Sequence, residues 1–179
     1  IDHFRIEYFV DCVLHTIDLG VTHRWVAFSL LHILQSNCYD IDKGVALGML
    51  GGGQLGRMFA LAAAQMGYKV WVFDPNEHSP AGDVACRHIQ AEYDDYDALA
   101  EFGKGCAVVT TEFENIPAST LKYLQDYCRV CPNPDAVYIA QNRIREKKFV
   151  NDLGIPTSKF IEVNSSTDLN DSDHMNWPC

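Results

Sequence analysis

The sequence predicts an α/β protein built on a doubly wound parallel sheet, and three observations carry that expectation. An apolar run, Val45–Leu50, meets the glycines Gly51, Gly52 and Gly53, and an alanine-rich amphipathic segment continues to Gly67. A second apolar run, Lys69–Phe73, ends in an acid, Asp74. Strand-like and helix-like segments then alternate as far as Asn151, the order that lays helices over both faces of a parallel sheet.

Val45–Leu50 reads as a buried strand because it is a continuous apolar run closed by turn residues. Gly51, Gly53 and Gly56 then have the G-x-G-x-x-G spacing of a Rossmann-like strand–turn–helix unit. The first glycine permits the turn, the second lets a ligand approach bare backbone, and the third lets the helix pack closely on the strand. Gln54–Met66 is expected to be a well-ordered helix, with an apolar face assigned to Leu55, Met58, Phe59 and Leu61. Lys69–Phe73 is the second strand, Pro75–Pro80 a loop, and Cys86–Gln90 a short edge strand. Tyr96–Phe102 is a short helix ending near Gly103 or Gly105, and Ala107–Thr111 is a further buried strand with Glu112–Pro117 as the loop at its end. Pro117 is placed as the first residue of a helix over Ala118–Tyr127. A short strand at Arg129–Cys131 and helices from Pro134 to Asn142 and over Arg143–Asn151 complete the pattern, which Gly154-Ile-Pro156 breaks.

With 179 residues and 47% apolar side chains, the chain can bury the core of an ordinary domain with some length to spare. A net charge of −10 argues against nucleic acid as a main partner, because a phosphate backbone needs a basic face. It leaves room for a local anion pocket made of backbone amides. Seven cysteines, an odd number, do not suit a secreted disulfide framework. The close pair Cys128 and Cys131 lacks the second pair a zinc site needs, so structural thiols are expected. His3, His15, His23 and His32 offer no pair at helical spacing with an acidic neighbour, and no metal site is expected. The longest apolar stretch of the leader, Val26–Leu34, is interrupted by Ser29 and His32 and is too short to span a bilayer. With no cleavage signal after it, a cytoplasmic location is expected. Residues 1–42 read as an unmatched extension, partly helical around 21–36 or disordered, and 164–179 as a polar, acidic, disordered tail.

Three functional readings compete for the residues at the strand ends. In the first, the glycine loop and Asp74 belong to an NAD(P)-binding oxidoreductase domain, the acid holding ribose hydroxyls. In the second, the same loop serves another ligand, and Glu112 or Glu114 binds its amine or hydroxyl groups. Residues i and i+2 of extended chain share a face, so both acids are expected to point into one pocket. Glu112 is favoured for ligand contact and Glu114 for capping the helix at Pro117. In the third, the loops are only turns.

Five segments narrow the choice: Leu50-Gly-Gly-Gly-Gln-Leu-Gly-Arg-Met58, Val72-Phe-Asp-Pro75, Ser79-Pro-Ala81, Thr110-Thr-Glu-Phe-Glu-Asn-Ile-Pro117 and Asn142-Arg-Ile-Arg-Glu-Lys-Lys-Phe149. In order and spacing, over residues 45–160, they resemble 5-(carboxyamino)imidazole ribonucleotide synthase, the ATP-grasp ligase of bacterial and fungal purine biosynthesis. The resemblance implies a Rossmann-like pre-ATP-grasp domain over 43–142 and the start of an ATP-grasp domain over 143–163. It implies substrate contacts at Gly52, Gly53, Gln54, Leu55 and Glu112, and an ATP contact at Arg143. It also implies ATP and magnesium as cofactors, 5-aminoimidazole ribonucleotide and bicarbonate as substrates, and a homodimer. The family's nucleotide-binding lysine, its glycine-rich loop and its magnesium-holding acids belong to parts that this sequence does not match. No catalytic residue and no metal ligand is therefore expected in this chain, which is expected to be inactive alone. The alternative that stays open is the NAD(P)-binding domain.

Overall fold

The computed structural model describes residues 45–165. The expected helix near 21–36, the rest of the 1–42 extension and the tail beyond 165 lie outside the described residues. Among the described residues there are five strands: β1 (Ala46–Leu50), β2 (Lys69–Phe73), β3 (Arg87–Ile89), β4 (Cys106–Thr111) and β5 (Arg129–Val130). They form one sheet in the order β3-β2-β1-β4-β5, and every neighbouring pair is parallel.

The strands divide their side chains between two layers, as the two-residue period requires. Leu47, Met49, Val70, Val72 and Val108 pack with Phe59, Ala60 and Ala63 of helix α1 (Gln54–Gln65). Leu50, Phe73, Ile89 and Val109 pack with Leu99 and Phe102 of α2 (Tyr96–Gly105) and with Leu121 and Leu124 of α3 (Ala118–Leu124). An irregularity opposite Ala46 and Leu47 lets Cys106 and Val109 share one layer despite their odd spacing. The fold is the doubly wound α/β sheet that the alternation predicts.

Helix α1 buries a different face from the one expected. Its inward residues are Gly56, Phe59, Ala60 and Ala63, whereas Leu61 is 46% exposed and Leu55 and Met58 are only half-buried. Positions 56, 59, 60 and 63 follow the helical period, and Leu61 is turned about 100° away from Ala60. Small residues on the inner face bring the helix axis close to the sheet. The helix ends in a Schellman arrangement: Gly67, at φ +85°, donates to the Ala64 carbonyl, and Tyr68 donates to that of Ala63, both at 3.0 Å.

Helix α3 is shorter than expected. After Leu124 the amides of Gln125, Asp126 and Tyr127 bond three residues back, so the last turn tightens and stops. Pro117 is its N-cap, at ψ 130°, and not its first helical residue. Two further helices follow, α4 (Pro134–Ala140) and α5 (Arg143–Asp152), the latter capped by the Asn142 side chain accepting from the Arg145 amide at 3.0 Å.

The chain divides into two compact units between Val137 and Tyr138. In the second, Lys148 Nζ lies 2.8 Å from Glu162 Oε2 and the Arg145 guanidinium stacks 3.6 Å over the Tyr138 ring. In the first, Cys106 is buried and Cys86 exposed. Burial pushes the Cys106 thiol far above its ordinary range and that of Cys128 up to about 11. Among the described residues no helix is long and apolar enough to cross a membrane.

Candidate functional site

The strands β1, β2 and β4 are neighbours, so the residues that follow them stand in one row at the carboxyl edge of the sheet. The ladder even continues one step past each end. Gly51 donates to the Phe73 carbonyl at 3.0 Å, Asp74 to that of Ile89 at 3.2 Å, and Glu112 to that of Leu50 at 2.9 Å. Gly51 sits at φ +97°, a left-handed conformation that only glycine adopts cheaply, and it turns the chain into the loop.

Two carboxylates then grip that loop through its backbone. The Gly52 amide donates to Asp74 Oδ2 at 2.7 Å, and the Gly53 amide donates to Glu112 Oε2 at 2.6 Å. Both are charge-assisted bonds, stronger than neutral ones. A third strap comes from Ser79–Ala81: the Ala81 amide donates to the Gly52 carbonyl at 2.8 Å, and Arg57 Nη1 donates to the Pro80 carbonyl at 3.0 Å. Ser79 and Ala81 are buried, and a Cβ at Gly52 would run into Ser79. In the sequence Ser79-Pro-Ala81 stands out only as a family signature. Its two small residues flanking a proline were the available sign of close packing on the loop.

Asp74 does not do what the dinucleotide reading asks of it. The residue is buried, and Oδ2 also accepts from the Tyr93 hydroxyl at 3.2 Å. Oδ1 accepts from the Asn76 amide at 2.8 Å and from Asn76 Nδ2 at 2.9 Å. A carboxylate offers about four acceptor positions, and the fold itself fills them. Nothing is left for ribose hydroxyls. Tyr93 completes this arrangement: burial, the adjoining Asp74 carboxylate with its hydrogen bond, and the charge of Glu112 all hold the phenol proton far more tightly than usual.

Glu112 is the acid with capacity to spare. It is half-buried, and the Gly53 amide takes one of its acceptor positions. It also sits at the positive end of α1. The first bond of that helix runs from the Arg57 amide to the Gly53 carbonyl at 3.0 Å, so the amides of Gln54, Leu55 and Gly56 face out of its N-terminus. A Cβ at Gly56 would lie 2.9 Å from Glu112 Oε2. With a carboxylate already on the helix end, this corner suits hydroxyl or amine donors better than a phosphate.

Glu114 does not join it. The extended backbone stops at Thr111, whose hydroxyl donates to the Phe113 carbonyl at 2.9 Å, and residues 112–115 bend and turn. Residues 112 and 114 therefore do not share a face, and Glu114 is exposed. Of the remaining expected site residues, Gln54 is exposed and Leu55 half-buried in the first turn of α1. Arg143 lies in the second compact unit, exposed and paired with Glu146 one turn along α5.

Residues 45–141 match the ribonucleotide synthetase preATP-grasp domain. The chain belongs to that family. Relatives of this preATP-grasp chain include the N5-carboxyaminoimidazole ribonucleotide synthase of Staphylococcus aureus (strain COL), 44% identical over 133 residues that make up 74% of this chain and 36% of the relative. The synthase of Brucella melitensis is 44% identical over 130 residues, 73% of this chain and 36% of its own. Among solved structures, the Staphylococcus aureus synthetase complexed with ADP aligns at a TM-score of 0.67 and 43% identity, over 72% of this chain and 35% of that one. The Aspergillus clavatus synthase in complex with ADP and 5-aminoimidazole ribonucleotide aligns at 0.68 and 27% identity, over 76% and 37%. This preATP-grasp chain thus spans little more than a third of the length of the relatives it matches.

Proposed function

We propose that this preATP-grasp domain holds the ribonucleotide in the ATP-dependent carboxylation of 5-aminoimidazole ribonucleotide by bicarbonate, giving N5-carboxyaminoimidazole ribonucleotide. One observation carries the reading: the Glu112 carboxylate rests on the Gly53 amide at the N-terminus of α1. It offers an acceptor for ribose hydroxyls or an amine at the corner where a dinucleotide fold seats a pyrophosphate. The relatives' names and the Aspergillus complex support the same ligand. In this reading Gly52 and Gly53 shape the floor, Gln54 and Leu55 form the rim, and Glu112 accepts from the ligand.

Arg143 opens the ATP-grasp portion, 143–163, and pairs with an ATP phosphate. Arg143 is the exposed member of its pair with Glu146, which is a weak competitor for a multiply charged anion. Among the described residues no three His, Cys, Asp or Glu side chains are grouped to hold a metal ion. The homodimer and the cytoplasmic setting of the resembled ligase complete the proposal.

A loop, a rim and one acid hold only part of a ribonucleotide. Each missing hydrogen bond to a charged group forfeits about 1.5–3 kcal/mol, or roughly one to two decades of affinity. Calorimetric titration of the chain with 5-aminoimidazole ribonucleotide should therefore give weak binding, weakened further in Glu112→Ala and Gln54→Ala. A phosphate-release assay with ATP, bicarbonate and the ribonucleotide should stay at background. Micromolar NADH binding without ribonucleotide binding would overturn the reading in favour of the dinucleotide alternative.

A further inference from the structure

We propose that Asp74 and Tyr93 are positioning residues for this site: by holding the Gly52 amide they fix the 51–52 peptide, and with it the Gly52 Cα from which the next peptide aims the Gly53 amide at Glu112, and so set where the Glu112 carboxylate stands. Glu112 comes from β4 and Asp74 from β2, on opposite sides of β1. The two acids grip the amides of consecutive peptides, 51–52 and 52–53, which meet at the Gly52 Cα. Asp74 cannot reorient freely, because Asn76 holds its Oδ1 twice and Tyr93 holds its Oδ2. Tyr93 is itself anchored at both ends. Its hydroxyl is on Asp74, its backbone carbonyl accepts from Thr120 Oγ1 at 2.7 Å, and its ring lies 6.0 Å from that of Phe73. Thr120 belongs to α3, the helix that follows the Glu112 loop. A continuous run of contacts therefore leads from α3 through Tyr93 and Asp74 to the glycine loop, and from the loop to Glu112.

The arrangement reverses the use of an acid at the end of the second strand. In a dinucleotide fold that acid faces outward to the ligand. Here it faces inward, with full hydrogen bonding, and the ligand-facing role passes to Glu112 on the far side of β1. The floor of the site is main chain, so its shape depends on whatever holds that main chain still.

Amide–water exchange measured by nuclear magnetic resonance on the ligand-free full chain tests the coupling directly. Tyr93→Phe keeps the ring on Phe73 and removes only the hydroxyl. It should speed exchange at both Gly52 and Gly53 by about threefold to tenfold, as expected for the loss of a modest hydrogen bond, while Val72 and Val109 in the sheet stay unchanged. Asp74→Asn should give a larger effect at the same two amides. Faster exchange at Gly52 alone would overturn the proposal, because the two carboxylates would then act independently. Faster exchange throughout the sheet in Tyr93→Phe would overturn it too, since the hydroxyl would be serving general stability.

A second arm rests on the function proposed above. Titration with 5-aminoimidazole ribonucleotide should show affinity falling in Tyr93→Phe while the melting temperature holds. Unchanged affinity would refute the positioning role. If the unsubstituted chain binds no ribonucleotide, the functional reading fails and the exchange result still decides the coupling.

Discussion

Alanine at Gly52 and alanine at Gly53 should act by different routes and to different extents, although the two positions are adjacent. At Gly52 the new Cβ collides with the body of Ser79, which is 2% exposed, and lies 2.9 Å from the Cβ of Asp74. Neither neighbour is a movable side-chain end, so the loop must lift and the 2.7 Å bond to Asp74 goes with it. Overpacking costs about 1–3 kcal/mol and a lost charge-assisted bond about 1.5–3 kcal/mol, so Gly52→Ala should destabilise the domain by about 3–5 kcal/mol. At about 4–8 °C per kcal/mol for a domain of this size, the melting temperature falls by at least about 12 °C.

At Gly53 the collision is with the Glu112 carboxylate, the far end of a flexible side chain, and φ is an ordinary −76°. Glu112 swings away, the Gly53 bond is lost, and the stiffer alanine backbone returns about 0.4–1 kcal/mol. The net cost should be about 0.5–2 kcal/mol, with ribonucleotide affinity reduced as much as in Glu112→Ala. Differential scanning calorimetry and ligand titration on both variants provide the check. Equal melting temperatures for the two, or full affinity in Gly53→Ala, would refute the division of the loop into a packed residue and a ligand-aiming one.

Other outcomes follow from burial and charge. Phe102→Ala empties the layer beneath α2 and should cost about 3–5 kcal/mol by denaturant unfolding. Among the described cysteines, alkylation mapped by mass spectrometry should mark Cys86 first, with Cys106 and Cys128 slow at pH 7 because burial keeps both protonated; the Cys128 rate should climb as pH approaches about 11. Lys148 holds the Glu162 carboxyl below its ordinary range, so the pair's contribution is present above the unfolded carboxyl value and is lost as pH falls through the folded one. Lys148→Ala should raise the Glu162 midpoint in a carbon-detected titration while barely moving the melting temperature at pH 7.

Most of the architecture was legible because local signals agreed with the global fold. Val45–Leu50, Lys69–Phe73 and Ala107–Thr111 are apolar runs that alternate with helical segments, and turn residues close each of them. Glu112 was legible as the acid at a strand end. The inward turn of Asp74 was not, because an acid after a second strand reads the same whether it meets a ligand or a backbone amide. What decided it were Tyr93 and Asn76, and Tyr93 is nineteen residues away with no local pattern linking it to the loop. The exposure of Leu61 was missed for a related reason. Hydrophobicity ranks leucine above glycine and alanine, but the helix buries the side that lets it come nearest the sheet.

That close approach has a consequence for how such a site can change. Its floor is peptide backbone at Gly52 and Gly53, and Gly56 leaves no room for a side chain between Glu112 and the Gly51 carbonyl. A floor of this kind has no vocabulary of side chains to vary: a substitution there unseats either the packing, as at Gly52, or the acid itself, as at Gly53. Any drift or redesign of ligand preference is thus channelled to the rim, where Gln54 already stands in solvent and can be exchanged while the packing beneath it is left alone.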